Sequence, residues 1–290
     1  MNSRVKGILC IVSAGFCFAL MSLFVRLAGD VPSMQKSFFR NAVALVVVLF
    51  TMLRKHEKIE IKRGDIKYLV ARATFGTIGI ICNFYAIDHL VLSDANMLNK
   101  LSPFFAIVFS YIILKEKCSV FQGAAVFIGF IGALLIIKPT GNIANMPAIV
   151  GALGGLGAGA AYTMVRILGK RGVKGSVVIM FFSAFSCVVC IPFMIMDFQP
   201  MNAIQVILLV CAGVAATGGQ FSITRAYFYA PAKEISVYDY SQIIFSALLG
   251  FFVLGQIPDI YSVLGYIIIC SMAVLMFIYN KGRDRKTGNG

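Results

Sequence analysis

Five ionisable side chains interrupt stretches that are otherwise apolar: Arg40, Arg72, Lys100, Arg225 and Asp239. A charge at the centre of a hydrocarbon layer costs about 2.5–3.5 kcal/mol on insertion scales, so each is a candidate for contact with a polar solute. Asn96, Asn99 and Lys100 recur at spacings of three and four, one face of a helix. At 1.5 Å per residue, Lys100 lies about 9 Å inward of Asp94. Further along, Glu234, Tyr238, Asp239 and Gln242 repeat the arrangement. The two polar faces suggest a central cavity for a small polar solute; the structural alternative is a closed network in which Asp239 neutralises Lys100. Arg40 either forks onto an anionic group or bonds to carbonyls and Asn41. Arg72 and Arg225 either snorkel to headgroups or touch the solute. Tyr85, Tyr227, Tyr229, Tyr238 and Tyr240 fall near helix ends, where they stack on a ligand or form an interfacial belt.

Covalent chemistry finds little support. Two histidines, His56 and His89, sit in loops on opposite sides, which leaves no metal cluster to expect and no cofactor. Cys187 and Cys190, a C-x-x-C within an apolar run, read as small packing residues. A membrane-embedded enzyme would need a nucleophile–base pair or a metal set, and neither is visible. A receptor or scaffold would give the repeat described below no purpose.

Hydrophobic residues make up 59% of 290 positions and charged residues 13%, a balance that cannot cover a soluble domain of this size with polar surface. The apolar residues arrive in blocks of about twenty, enough for a helix to cross a hydrocarbon core. Ten spans are expected at 7–27, 34–53, 66–88, 93–113, 119–138, 147–168, 176–196, 203–225, 233–254 and 260–280. The first block has spanning length and no small-residue cleavage site, so it reads as a helix, not a signal peptide. The net charge of +14 is unevenly placed. Arg4, Lys6, Arg54, Lys55, Lys58, Lys62, Arg63, Lys67, Lys115, Lys117, Lys170, Arg171, Lys174 and the tail lysines fall on one side; Lys36, Lys138 and Arg26 fall on the other. The positive-inside rule then places both termini in the cytoplasm of a multi-pass cell-membrane protein. The basic excess sets topology, and the expected partners are lipid and a small solute, not nucleic acid.

An offset of 140 residues aligns Val25-Arg26 with Val165-Arg166, Gly79 with Gly219, Ala86 with Ala226, Asp94 with Glu234, Phe105 with Phe245 and Leu114 with Leu254. Each half holds five spans, an odd number, so the copies enter the membrane from opposite sides. The expected fold is an all-α membrane protein of two inverted five-helix repeats, 1–138 and 147–280, joined by a linker at 139–146 and followed by a mobile tail from 281 to 290. Inverted repeats are a common transporter plan, with the site between the halves near the midplane. Gly151, Gly155 and Gly159, with Gly154 and Gly157 beside them, permit close helix approach for packing, for sliding, or for dimerisation of an otherwise monomeric carrier. Pro103 removes a helical hydrogen bond, and a hinge-like bend is expected there.

Phe84-Tyr85-Ala86-Ile87, Ser93 to Pro103, Lys115-Glu116 and Gln122-Gly123 resemble the second half of an EamA-type repeat of the drug/metabolite transporter superfamily. The later copy reads Arg225-Ala226-Tyr227, Ala230-Pro231-Ala232 and Gly255-Gln256, and Phe39-Arg40-Asn41 and Arg72 are similar to the family too. Gln256 stands where the family often has Glu; an amide cannot ionise, so the repeat lends no support to Glu116 as a proton carrier. Ala125 and Ile243 also depart, replacing a frequent Gly and a second Pro. The resemblance implies a small-metabolite carrier, often an exporter of amino acids or related compounds, working without ATP hydrolysis; no phosphate loop is present. A multidrug or cationic-solute exporter is the neighbouring alternative.

Overall fold

The computed structural model describes residues 3–57, 59–115, 119–138, 146–229 and 236–287. Their helices are α1 (Ser3–Leu27), α2 (Ser33–Arg54), α3 (Arg63–His89), α4 (Leu92–Asn99), α5 (Ser102–Leu114), α6 (Val120–Ile137), α7 (Met146–Lys170), α8 (Gly175–Met196), α9 (Ala203–Tyr229), a 3-10 turn (Ser236–Tyr240), α10 (Ser241–Leu254) and α11 (Ile260–Thr287). Among the described residues, nine spans are long and apolar enough to cross a bilayer, α4 with α5 counting as one, and Tyr238–Leu254 is a shorter apolar tenth. Apolar side chains such as Val46, Leu53, Phe127, Val188 and Phe252 are exposed around the bundle, as lipid contact requires.

Helix pairing follows the repeat. The contacts α1–α9 and α3–α7 exchange places when the halves are swapped, as do α2–α9 with α8–α3 and α1–α10 with α7–α4/α5. The pairs α2–α8, α6–α11 and α4–α10 map onto themselves. The chain is therefore two inverted five-helix repeats about a pseudo-two-fold axis. Gly15 and Gly155, 140 apart, show why the copies fold alike. A Cβ on Gly155 would lie 2.5 Å from the Leu98 carbonyl oxygen, and one on Gly15 would lie 2.8 Å from Ser241 Oγ and 3.0 Å from the Gln242 nitrogen. Each glycine lets its helix press on the broken span of the opposite half. The α7 glycines pack inside one chain on two sides: Gly154 and Gly157 against α3, Gly155 and Gly159 against α4 and α5.

Two expectations need correction. The fourth span does not bend at Pro103; it is interrupted two residues earlier, at Lys100–Leu101. Pro103 has no N–H for the Asn99 carbonyl, and the chain tightens before it, with the Leu101 N–H bonding to the Leu98 carbonyl at 3.2 Å. Lys100 thus follows the helix instead of continuing the face of Asn96. The tail expected from Lys281 is also helical as far as Thr287, because α11 runs on without interruption. The linker at 139–145 lies outside the described residues.

Gly155→Ala should lower thermal stability in detergent by about 1–3 kcal/mol, because the methyl meets a backbone oxygen that cannot rotate away. Gly169→Ala, in open space near the end of α7, should be neutral or stabilising, since alanine favours helix.

Candidate functional site

The breaks in the fourth and ninth spans occur at equivalent places, Lys100–Leu101 and Tyr240–Ser241, 140 residues apart. They come together across the pseudo-axis. Lys100 Nζ pairs with Asp239 Oδ2, and the Tyr240 hydroxyl donates to the Lys100 carbonyl at 3.2 Å. That carbonyl lies at the α4 terminus, where helical partners run out. Asp239 Oδ1 is buried with no hydrogen-bond partner among the described residues, and so is Ser241 Oγ. The pair is mostly shielded, its side chains 10% and 22% exposed. Asn99 is half-buried beside it, and Tyr238 is exposed at 38%.

Asn96 and Gln242 form a different unit. The Ser22 hydroxyl at 3.0 Å and Gln242 Nε2 at 2.9 Å both donate to Asn96 Oδ1. Asn96 Nδ2 donates to the Leu92 carbonyl at 2.9 Å and to Ser246 Oγ at 3.1 Å. Every polar atom of the Asn96 side chain is occupied, which makes it a clamp joining α1, α4 and α10 rather than an open donor. Periodicity had grouped it with Lys100; Ser22 and Ser246 were missed because single serines in apolar helices carry no distinguishing pattern.

The remaining candidates are scattered. Arg40 and Arg72 converge elsewhere, with Cζ atoms 5.7 and 4.2 Å from the centroid of the Phe182 ring. Tyr85 stacks on His89 at 4.2 Å and lines a shallow apolar pocket with Pro32, Met34, Ile81 and Val150. Arg225 is exposed near the end of α9, and the Tyr227 side chain lies outside the described residues. Glu116 and Glu234 also lie outside them. Cys187 and Cys190 are buried free thiols in α8.

Near the face opposite the termini, side chains join the halves. Gln35, fully buried in α2, donates from Nε2 to the Gln199 carbonyl at 3.1 Å and accepts the Gln199 N–H at 2.9 Å. Lys138 pairs with Asp259 of the second half, while Lys36 pairs with Asp88 at 2.5 Å within the first half. The Tyr266 hydroxyl lies 2.9 Å from Ser93 Oγ and bonds the carboxylate of Asp94. Gln256 Oε1 accepts the Leu92 N–H at 2.9 Å, capping α4 from the other half. The task needs an acceptor oxygen, not a charge, so an amide serves where the family pattern has a carboxylate.

Lys100→Met or Asp239→Asn alone should cost about 2–4 kcal/mol of stability, less than for a fully buried pair because both groups retain some exposure. The double variant should recover most of that loss, since no lone charge remains. A thermal-melt double-mutant cycle reads the difference. At position 256, replacement by Ala should cost about 1 kcal/mol and replacement by Glu much less, because the acceptor is kept.

Comparison with known proteins agrees with this architecture. The model of the EamA-like transporter family matches residues 5–138 and 149–278. The pseudopaline exporter CntI of Pseudomonas aeruginosa is 30% identical over 280 residues, covering 96% of this chain and 98% of its own. A riboflavin transporter of Vibrio cholerae is 25% identical, covering 98% and 97%. Mouse solute carrier family 35 member G1 is 26% identical, covering 89% and 74%. A crystal structure with 15% identity superposes with a TM-score of 0.62 over 95% of this chain and 99% of that one, a likeness of fold. With both repeats matched over nearly the whole length, the chain belongs to the EamA-like transporter family.

Proposed function

We propose that this membrane transporter is a secondary carrier that exports a small polar metabolite, an amino acid or related carboxylate, across the cell membrane by alternating access. The observation that carries the reading is the Lys100–Asp239 pair at the junction of two broken spans. A zwitterionic solute can replace each member's internal partner, its carboxylate taking Lys100 and its ammonium taking Asp239. Asp239 Oδ1, buried without a partner among the described residues, has capacity for such a donor. The site is then neutral both empty and loaded, which avoids the cost of a lone charge at membrane depth. Asn99, Tyr238 and Tyr240 flank the pair and supply polar and aromatic contacts.

The division into repeats at 1–138 and 147–280 supports the mechanism. Two copies of one fold can exchange conformations, closing one face as the other opens. The Gln35–Gln199 clasp and the Lys138–Asp259 pair tie the two repeats together near the face opposite the termini, which supports reading that face as closed. The basic loops argue that both termini are cytoplasmic. Relatives named as exporters and transporters favour this class over an enzyme.

Proteoliposomes offered labelled amino acids, organic acids and cationic dyes test the proposal. Flux of carboxylate-bearing amino acids is expected, falling about tenfold or more in Lys100→Met and Asp239→Asn. Undiminished flux in both variants would remove the pair from the pathway. Flux of the dyes alone would make the protein a cationic-solute exporter. Turnover of a substrate in detergent without any flux would point to an enzyme.

A further inference from the structure

Arg40 and Arg72 enter from α2 and α3 and share the Phe182 ring of α8. A guanidinium stays charged under all physiological conditions. Arg40 Nη1 donates to Asn41 Oδ1 at 2.8 Å, a neutral acceptor. Arg40 Nε, Arg72 Nε and Arg72 Nη1 are buried with no hydrogen-bond partner among the described residues. Neither arginine meets a carboxylate there. Asp65, the acidic residue at the start of α3, is taken by Arg171. Two like charges therefore face one ring, about 13 Å into α3 at 1.5 Å per residue, with no carboxylate against them among the described residues. The ring face offsets only about 1–2 kcal/mol for each, less than the cost of holding a bare charge at that depth.

The surroundings are built for this placement. A Cβ on Gly76 would lie 2.1 Å from Arg72 Nη1 and 2.9 Å from the Phe182 ring, so any side chain there would displace the guanidinium from this placement. Further buried polar atoms continue along the same three helices: Ser37 Oγ in α2, Asn83 Oδ1 in α3 and Ser183 Oγ in α8 also lack partners. Between the arginines and the face that bears the termini, Val48, Met52 and Val177 form an apolar plug, and Leu69, Leu168 and Val178 another.

We infer that Arg40 and Arg72 form an anion receptor, distinct from the Lys100–Asp239 pair, that takes a carboxylate or phosphate group of a transported solute. The inference rests on the carrier reading for the anion's route of arrival. Two cations in one site select a solute with anionic charge beyond that of a simple zwitterion, such as a di- or tricarboxylate or a phosphate ester. Charge-assisted bonds to the three unpartnered N–H groups would hold it, in the forked geometry that guanidinium offers. A lipid phosphate has the same chemistry and is separated by experiment.

The test titrates purified protein in detergent with citrate, succinate, inorganic phosphate and the neutral isostere succinamide, and in nanodiscs with and without phosphatidic acid. Affinity for citrate, succinate or phosphate with none for succinamide is expected, weakened about tenfold or more by Arg40→Gln and by Arg72→Gln. Gly76→Ala, which keeps both charges but displaces Arg72, should weaken it too. Equal binding in wild type and both arginine variants overturns the inference. Where a variant fails to fold, wild-type protein that does not distinguish succinate from succinamide overturns it as well. Stabilisation by phosphatidic acid alone assigns the site to lipid and refutes the solute. Flux unchanged in Arg40→Gln and Arg72→Gln sinks the receptor and leaves the carrier standing. Arg72-dependent anion binding without any flux keeps the receptor and sinks the carrier.

Discussion

A peptide chain that leaves the helical path inside a bilayer strands amide and carbonyl groups that no water can reach. This molecule does so twice, and its architecture follows from covering those two breaks. The fourth span stops at Asn99 and restarts at Ser102; the ninth passes from a 3-10 turn into a helix at Ser241. Each break is pressed by a glycine of the opposite half, Gly15 or Gly155, close enough that a Cβ would crowd it. The side chains then finish what the backbone leaves open. Tyr240 supplies a hydroxyl to the Lys100 carbonyl, and Lys100 meets Asp239. The backbone that leaves the helical path is thus the part that the two repeats jointly cover.

Symmetry accounts for the frame but not for the chemistry within it. Position 100 is lysine in one copy and its equivalent, 240, is tyrosine; position 99 is asparagine and 239 is aspartate. The repeat thus carries an ion pair on one diagonal and uncharged groups on the other. The junction therefore presents two chemically distinct ends, although the fold around it is used twice. Gln256 shows the converse: it accepts one backbone N–H, a role that needs an oxygen and no particular charge.

Much of the frame was legible in the chain. Blocks of apolar residues about twenty long marked the spans, and the 140-residue offset joined Gly79 to Gly219 as well as the halves to each other. The helix pairs of the structure obey that offset. Lys100 and Asp239 stood out because charge is rare in such segments, and the structure joins them. The interruption before Pro103 was misplaced by two residues, because proline marks the missing donor while the chain bends where the stranded carbonyl is most easily met. The Asn96 clamp was taken for part of an open face, since spacing shows which way a side chain points but not whether a serine from a distant helix already occupies it. The convergence of Arg40 and Arg72 on Phe182 had no signature in sequence, as it depends on the tilt of three helices and on the space left by Gly76.

The Gln35–Gln199 clasp carries a consequence of its own. It is made of two uncharged hydrogen bonds between an amide side chain and a peptide unit, each worth about 1 kcal/mol net. Such a latch has no proton to lose and no charge to be pulled by a voltage. Acidity and membrane potential therefore do not act on it directly, in contrast to the Lys138–Asp259 ion pair that joins the same halves. A tie of this kind is indifferent to both, and its strength is set by geometry alone.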